Sequence, residues 1–125
     1  MSTVLVVEDE FGIAELFDAI LSDKGYHVLT AINGKHALEI LAKERADLVF
    51  TDYMMPVLDG AGLLRAMADN LALRGIPVVM MSSLPERTVA ERCSGYVTFM
   101  RKPFNVDKVI ETVARFLVPP DGTGT

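Results

Sequence analysis

The sequence has few features of a secreted, membrane-spanning or nucleic-acid-binding protein. Cysteine occurs once, at Cys93, which excludes an internal disulfide and favours a reducing compartment. No uninterrupted apolar run approaches the ~18 residues of a transmembrane helix, and the N-terminus lacks the pattern of a secretory signal. Lys and Arg number 12 against 17 Asp and Glu, and the net charge of −5 predicts no direct nucleic-acid or membrane binding. We therefore expect a cytoplasmic protein.

The length and composition fit one folded domain. A chain of 125 residues has the size of an ordinary single domain and is too short for two. Half of the residues are hydrophobic and 23% are charged, which is typical of a globular protein with a buried core. We predict that residues 1–118 form this domain and that residues 119–125, which contain Pro and Gly, form a flexible tail or a truncated linker.

Apolar runs of strand length alternate five times with segments of helical periodicity. Residues 4–7 form a continuous β-branched run, as in a strand covered on both faces. Residues 11–24 carry apolar side chains at helical spacing, and Gly25 ends that helix. The other strands are predicted at 27–31, 48–51, 77–81 and 97–100, and the other helices after Asn33, after Asp59, at 85–93 and after Asn105. Five such units predict an α/β fold with a doubly wound parallel sheet and helices on both faces.

Polar residues follow four of the predicted strands within two positions of the strand end. Glu8 and Asp9 follow the first strand, Asp52 the third, Ser82 the fourth and Lys102 the fifth. The carboxyl ends of parallel strands meet at one edge of the sheet, so we expect these side chains to converge there. Three carboxylates within ~4–6 Å repel one another by about 1–4 kcal/mol per pair, which requires compensating positive charge.

Lys102 supplies one positive charge, and a divalent cation would supply the rest. A ligand set made only of oxygens favours Mg²⁺, with Mn²⁺ as the alternative, over zinc. A carboxylate beside such a cation is a competent nucleophile toward phosphorus, and phosphoryl transfer mainly requires charge neutralisation and positioning. The residue types therefore predict chemistry on a phosphoryl group, with Ser82 able to hydrogen-bond one of its oxygens.

Four segments of the chain resemble the motifs of response-regulator receiver domains, which act in two-component signalling and include the chemotaxis regulators. These segments are residues 6–10, 51–60, 77–83 and 102–104, and the resemblance extends from residue 3 to about residue 118. It implies a five-stranded sheet of flavodoxin-like order 2-1-3-4-5. It also implies a protein that takes a phosphoryl group from a histidine kinase or a phosphotransfer protein and catalyses no reaction other than its own phosphorylation and dephosphorylation.

The resemblance assigns roles to individual residues. Asp52 would be the phosphoacceptor, assisted by Lys102 and Ser82. Mg²⁺ would be held by Asp9, Asp52 and the main-chain carbonyl of Met54, with Glu8 contributing through water. Ser82 and Phe99 would form the switch, and the Lys102–Pro103 peptide bond would be cis. Phosphorylation would alter the face made by helix 4, strand 5 and helix 5, which would contact a downstream protein or a fused output domain.

Several positions depart from the family pattern. The interval from Ser82 to Lys102 is short, so we predict a short or irregular fourth helix. Met54 and Leu84 lie two residues beyond the acceptor and the switch serine, and neither can orient a hydrolytic water by hydrogen bonding. This predicts slow self-dephosphorylation. Tyr53 and Tyr96 are expected at exposed edges without an assigned role.

Three other functions compete with a phosphorylated receiver. A hydrolase that forms an aspartyl phosphate usually has a second Asp two residues after the nucleophile, where this chain has Met54. A flavin-binding module needs a phosphate-cradling loop after the first strand, where the acidic residues 8–10 would repel a phosphate. The remaining alternative is a receiver-like docking module that is never phosphorylated.

Overall fold

A computed structural model of the chain describes residues 2–117, and the predicted tail at 119–125 lies outside the described residues. Within residues 2–117, no helix is long and apolar enough to cross a membrane. The strands are β1 (Thr3–Val7), β2 (His27–Ala31), β3 (Leu48–Asp52), β4 (Val78–Ser82) and β5 (Thr98–Arg101). The helices are α1 (Phe11–Asp23), α2 (Gly34–Leu41), α3 (Gly60–Ala68), α4 (Glu86–Ala90) and α5 (Val106–Phe116).

The strands form one parallel sheet in the order β2-β1-β3-β4-β5. Each strand is joined to the next by a helix. The strand order reverses between β1 and β3, so the sheet is doubly wound. The predicted fold class and strand order are confirmed. The reversal places the ends of β1 and β3 side by side, with β4 and β5 following on the same edge.

Two apolar layers cover the faces of the sheet. Leu5 and Val7 of β1 belong to the layer that contains residues of α2, α3 and α4, while Val4 and Val6 belong to the layer that contains residues of α1 and α5. This alternation follows from the two-residue period of a strand, and it explains why β1 is apolar at all four positions from Val4 to Val7. All of β1, β3 and β4 is buried, whereas β2 and β5 lie at the edges and are partly exposed. Three of the predicted site's strand ends, those of β1, β3 and β4, therefore lie in the buried middle of the sheet, and Lys102 follows the edge strand β5.

The predicted helix boundaries rest on local capping and are largely confirmed. The side chains of Asn33, Asp59 and Asn105 accept hydrogen bonds from backbone N–H groups at 2.9, 2.8 and 2.8 Å. Gly25 follows α1 with a positive φ of 91°, a conformation that glycine adopts without steric cost. The fourth helix is short, as predicted, with five residues in α4. The expectation for Tyr53 was wrong, because its side chain is buried in the core.

The loop between β3 and α3 is tightly constrained beside the end of β3. A Cβ atom on Gly60 would lie 2.6 Å from the carbonyl oxygen of Asp52, so only glycine lets α3 begin there. The Leu58 carbonyl accepts a hydrogen bond from the Gly34 N–H at 2.9 Å, which ties the loop to the start of α2. Val57 has a positive φ of 72° and lies between Pro56 and Leu58, whose backbone groups are bonded at 2.8 Å in a γ-turn.

The Val57→Gly variant is expected to be more stable than the wild type. A β-branched residue at positive φ is strained by about 1–2 kcal/mol, and glycine removes this strain. Glycine also gives the unfolded chain more conformational entropy, which cancels part of the gain in stability. Val57 is 76% exposed, so little packing is lost. We expect a net gain of about 1 kcal/mol in the free energy of unfolding by urea. A loss of stability would show that the Val57 side chain has packing value that outweighs its strain.

Candidate phosphoacceptor site

Glu8 and Asp9, the two residues after β1, differ in burial. The Glu8 N–H donates to the Ala31 carbonyl at 2.9 Å, which extends the pairing of β1 with β2 by one residue. Its side chain turns inward and is buried, with the residue 2% exposed, whereas Asp9 is exposed. Oε2 of Glu8 accepts the Glu10 N–H at 3.3 Å. The acid pair is thus divided into one buried and one accessible carboxylate.

Asp52 is the last residue of β3 and is 7% exposed. Its Oδ1 accepts the Tyr53 N–H at 3.0 Å, and the same N–H donates to the Met81 carbonyl at 2.8 Å. The Asp52 backbone lies against α3 at Gly60, as described above. The carboxylate is therefore held at a defined place on the edge of the sheet, between β1 and β4.

Lys102 joins the two buried carboxylates. Its backbone N–H donates to the Ser82 carbonyl at 2.9 Å, which anchors the residue beside the end of β4. Its Nζ lies 2.6 Å from Oε1 of Glu8 and 3.3 Å from Oδ2 of Asp52. The Lys102–Pro103 peptide bond is cis, as expected. In this state the shorter contact of the ammonium group is with Glu8.

The three predicted acidic residues meet at one place. One carboxylate oxygen from each of Glu8, Asp9 and Asp52 lies within 4.8 Å of the others. Asp9 and Met54 also line a common cleft of about 320 Å³ beside this cluster. A set of hard oxygen ligands, with one exposed member, fits a hydrated divalent cation such as Mg²⁺. The role of the Met54 main-chain carbonyl stays a prediction.

Ser82 and Phe99 lie on the far side of Asp52 from the acid pair. Ser82 is 3% exposed, and its Oγ accepts the Leu84 N–H at 3.0 Å, a bond that leaves the hydroxyl hydrogen available as a donor. The register pairs Met80 with Phe99 and Ser82 with Arg101. Because side chains alternate along strands, Phe99 and Ser82 share a face of the sheet. The Phe99 ring is half-buried and packs on the core.

Burial dominates the electrostatics of the two inner carboxylates. It raises the pKa of Glu8 from 4.5 to about 7, an effect strengthened by the Asp52 charge and opposed by the hydrogen bond from Lys102. Burial also raises the pKa of Asp52, against the influence of Lys102. For Lys102, burial favours the neutral form, but the bonds and charges of Glu8 and Asp52 outweigh it and raise its pKa. The site is short of positive charge.

This shortage predicts a pH dependence of stability in Mg²⁺-free buffer. A carboxyl group whose pKa is higher in the folded state binds more protons when folded, so it stabilises the fold below pH 4.5 and loses that contribution as pH rises to about 7. The shift corresponds to roughly 3 kcal/mol. We expect urea unfolding of wild type relative to Glu8→Gln to show this decline between pH 4.5 and 7.5. Parallel pH profiles of the two proteins would contradict it.

Some contributors to the site escaped sequence reasoning. Glu8 is the nearer carboxylate partner of Lys102, and this depends on how the ends of β1 and β5, which are distant in sequence, lie along the edge of the sheet. The need for glycine at position 60 depends on the approach of α3 to β3. Tyr96, which had no predicted role, contacts both Phe99 and Glu86. An aromatic residue three positions before Phe99 was the only local signal for it.

Comparison with known proteins gives one consistent result. The family described as response regulator receiver domain matches residues 4–114. Sporulation initiation phosphotransferase F of Bacillus subtilis is 33% identical over 116 residues, which cover 91% of this chain and 92% of that protein. These matches span nearly all of the fold and every residue of the acidic cluster.

Solved structures agree in fold and in sequence. Chemotaxis response regulator CheY4 of Vibrio cholerae has a TM-score of 0.86 and 31% identity, and the match covers 94% of this chain and 99% of that one. Response regulator protein TrrA from Thermotoga maritima, solved in complex with Mg²⁺-BeF, has a TM-score of 0.83 and 27% identity, covering 94% and 100% of the two chains. The likeness therefore includes a relative with magnesium and a beryllium fluoride group bound.

Proposed function

Because this chain belongs to the response regulator receiver domain family, a family of phosphoacceptors in two-component signalling, we propose that Asp52 is the residue that accepts the phosphoryl group. The observation that carries the assignment is the meeting of the Glu8, Asp9 and Asp52 carboxylates within 4.8 Å, with the Lys102 ammonium between two of them. The alternative of a docking module that is never phosphorylated is not favoured. The excess of negative charge in the site is best explained if the site binds a cation and a phosphoryl group.

Asp52 acts as the nucleophile in this proposal. One of its oxygens forms a bond to the phosphorus of a phosphohistidine, the P–N bond breaks, and the imidazole of the donor leaves with the bonding pair and takes a proton. Lys102 moves its ammonium group toward the transferred oxygens and neutralises part of their charge. The Ser82 hydroxyl donates to another of these oxygens. No other chemistry is assigned to the chain beyond hydrolysis of its own aspartyl phosphate.

A magnesium ion fits the acidic cluster. Asp9, Asp52 and the Met54 main-chain carbonyl would bind it directly, and Glu8 would contribute through water while remaining close to Lys102. When bound, Mg²⁺ supplies the positive charge that the carboxylates lack and balances the phosphoryl oxygens. Mn²⁺ has the same ligand preference and is the expected substitute.

The partners follow from the same proposal. The phosphoryl donor is a histidine kinase or a phosphotransfer protein, and the output passes through the face formed by α4, β5 and α5 to a downstream protein or a fused output domain. Phosphorylation biases this face between two states, with Ser82 and Phe99 as the switch. The net charge of −5 argues against direct nucleic-acid or membrane binding, and the single half-buried cysteine suits the cytoplasm.

Incubation with acetyl phosphate and MgCl₂, followed by intact-mass measurement, tests the proposal. We expect a gain of one phosphoryl group that depends on the metal and disappears with excess EDTA. Reductive trapping and peptide mapping should place the modification at Asp52. A protein that never gains the group, or gains it on another residue, would overturn the assignment.

The phosphorylated state is expected to be long-lived. Met54 is 64% exposed at the mouth of the site, and Leu84 is half-buried beside Ser82. Neither side chain can hydrogen-bond a water, so the Met54→Asn, Leu84→Glu double variant should lose its phosphoryl group about tenfold faster, the effect of roughly one new hydrogen bond. The measurement is the decay of the phosphorylated mass after removal of acetyl phosphate. An unchanged half-life would defeat the idea.

A further inference from the structure

Tyr96 connects the switch residue Phe99 to helix α4. Its hydroxyl donates to Oε2 of Glu86, the first residue of α4, at 3.1 Å. Its ring lies against the Phe99 ring, with centroids 6.3 Å apart and planes inclined at 53°. Both rings are half-buried and pack on the same apolar layer. One side chain therefore contacts both the candidate switch and the start of the adjacent helix.

Few contacts place α4, which makes this connection important. The helix has five residues, and its N-cap, Pro85, makes no side-chain capping bond. Val89 is the one buried residue of α4, and the Cys93 thiol donates weakly to its carbonyl at 3.5 Å. Besides the packing of Val89, the Tyr96–Glu86 bond ties the first residue of α4 to the segment that precedes β5.

Phe99 has no hydroxyl group, so a change in its position cannot act on neighbouring residues through a hydrogen bond of its own. It shares a sheet face with Ser82, as the strand register requires. A shift of the Phe99 ring toward Ser82, once that hydroxyl has turned to a phosphoryl oxygen, would remove the ring on which Tyr96 rests. Loss of that support would pull the Tyr96 hydroxyl away from Glu86.

We propose that Tyr96 is a positioning residue that holds α4 in its unphosphorylated orientation through Glu86 and releases it when Phe99 moves. The inference rests on the proposed function and adds the route by which that site reaches α4. Coupling between two sites is reciprocal: if phosphorylation weakens the Tyr96–Glu86 bond, then removing the bond must favour the phosphorylated state by the same factor.

Beryllium fluoride with Mg²⁺, an unreactive phosphoryl analogue, provides the test. Its affinity is measured by NMR titration for wild type, Tyr96→Phe, Glu86→Ala and the double variant. Tyr96→Phe keeps the ring and removes only the hydroxyl. We expect each single variant to bind the analogue roughly three- to tenfold more tightly, the equivalent of one hydrogen bond, and the double variant no more tightly than either.

Two controls make the result specific. Glu91→Ala removes an equal charge from the other end of α4 and should leave the affinity unchanged. In the wild type, the Tyr96 ring-carbon signal next to the hydroxyl should shift when the analogue binds. If wild type binds the analogue but Tyr96→Phe binds it equally well, Tyr96 has no such role and the proposed function stands. If wild type does not bind the analogue at all, the proposed function fails and this inference fails with it.

Discussion

The Asp52→Asn variant is expected to take up no phosphoryl group from acetyl phosphate under conditions in which the wild type is fully modified. An amide oxygen is a poor nucleophile, and the substitution also removes one of the charges that would hold Mg²⁺. The side chain keeps its size and can still accept the Tyr53 N–H bond. Loss of modification would therefore reflect lost chemistry, which the intact mass measures directly.

Asp59→Asn is the matched control for this variant. Asp59 lies seven residues further along and is exposed, and its Oδ1 caps α3 through the Gly62 N–H at 2.8 Å. Asparagine is an equally good N-cap, so the fold should tolerate the same loss of charge. Phosphorylation of Asp59→Asn at the wild-type rate, beside none in Asp52→Asn, would assign the acceptor. Full modification of Asp52→Asn would refute that assignment.

Replacement of Lys102 by methionine is expected to weaken both the fold and the reaction. The Glu8 side chain is fully buried, and Lys102 is its partner at 2.6 Å. Removing one member of a buried pair typically costs about 3–5 kcal/mol because the other charge is left uncompensated. When Glu8 is protonated it carries no charge, so the loss of Lys102 then costs little. The destabilisation should therefore be small near pH 6 and approach about 3 kcal/mol above pH 8. Phosphorylation should slow by roughly 100-fold, as when a charge-stabilising donor is removed from an active site.

The Glu8→Gln, Lys102→Met double variant separates the two effects. It removes both charges while keeping a similar side-chain volume, so most of the lost stability should return in urea unfolding at pH 8. Phosphorylation should stay slow, because the cation that faces the phosphoryl oxygens is still missing. A double variant as unstable as Lys102→Met alone would mean that methionine disturbs packing at this edge and that the Glu8 charge is not the cause.

These outcomes depend on charges that were visible in the sequence and on distances that were not. The five strands and their order along the chain were predictable because short apolar runs indicate buried strands. The pattern of buried residues repeats over only a few positions, so it can be read from neighbouring residues. The starts of α2, α3 and α5 were predictable because each capping side chain bonds to the N–H group three residues further along the chain. The convergence of the acidic residues followed from the parallel sheet alone.

Contacts between segments distant along the chain were decided by packing. Lys102 lies closer to Glu8 than to Asp52. This preference depends on how the end of β5 lies beside β4 and how far the Lys102 side chain reaches across the sheet edge toward the end of β1. The bond from Tyr96 to Glu86 depends on where a five-residue helix comes to rest. Local patterns specify which residues reach the edge of the sheet, because they are set by neighbours along the backbone. Which of those residues touch is set by sub-ångström fits between strands and helices, which only the assembled fold contains.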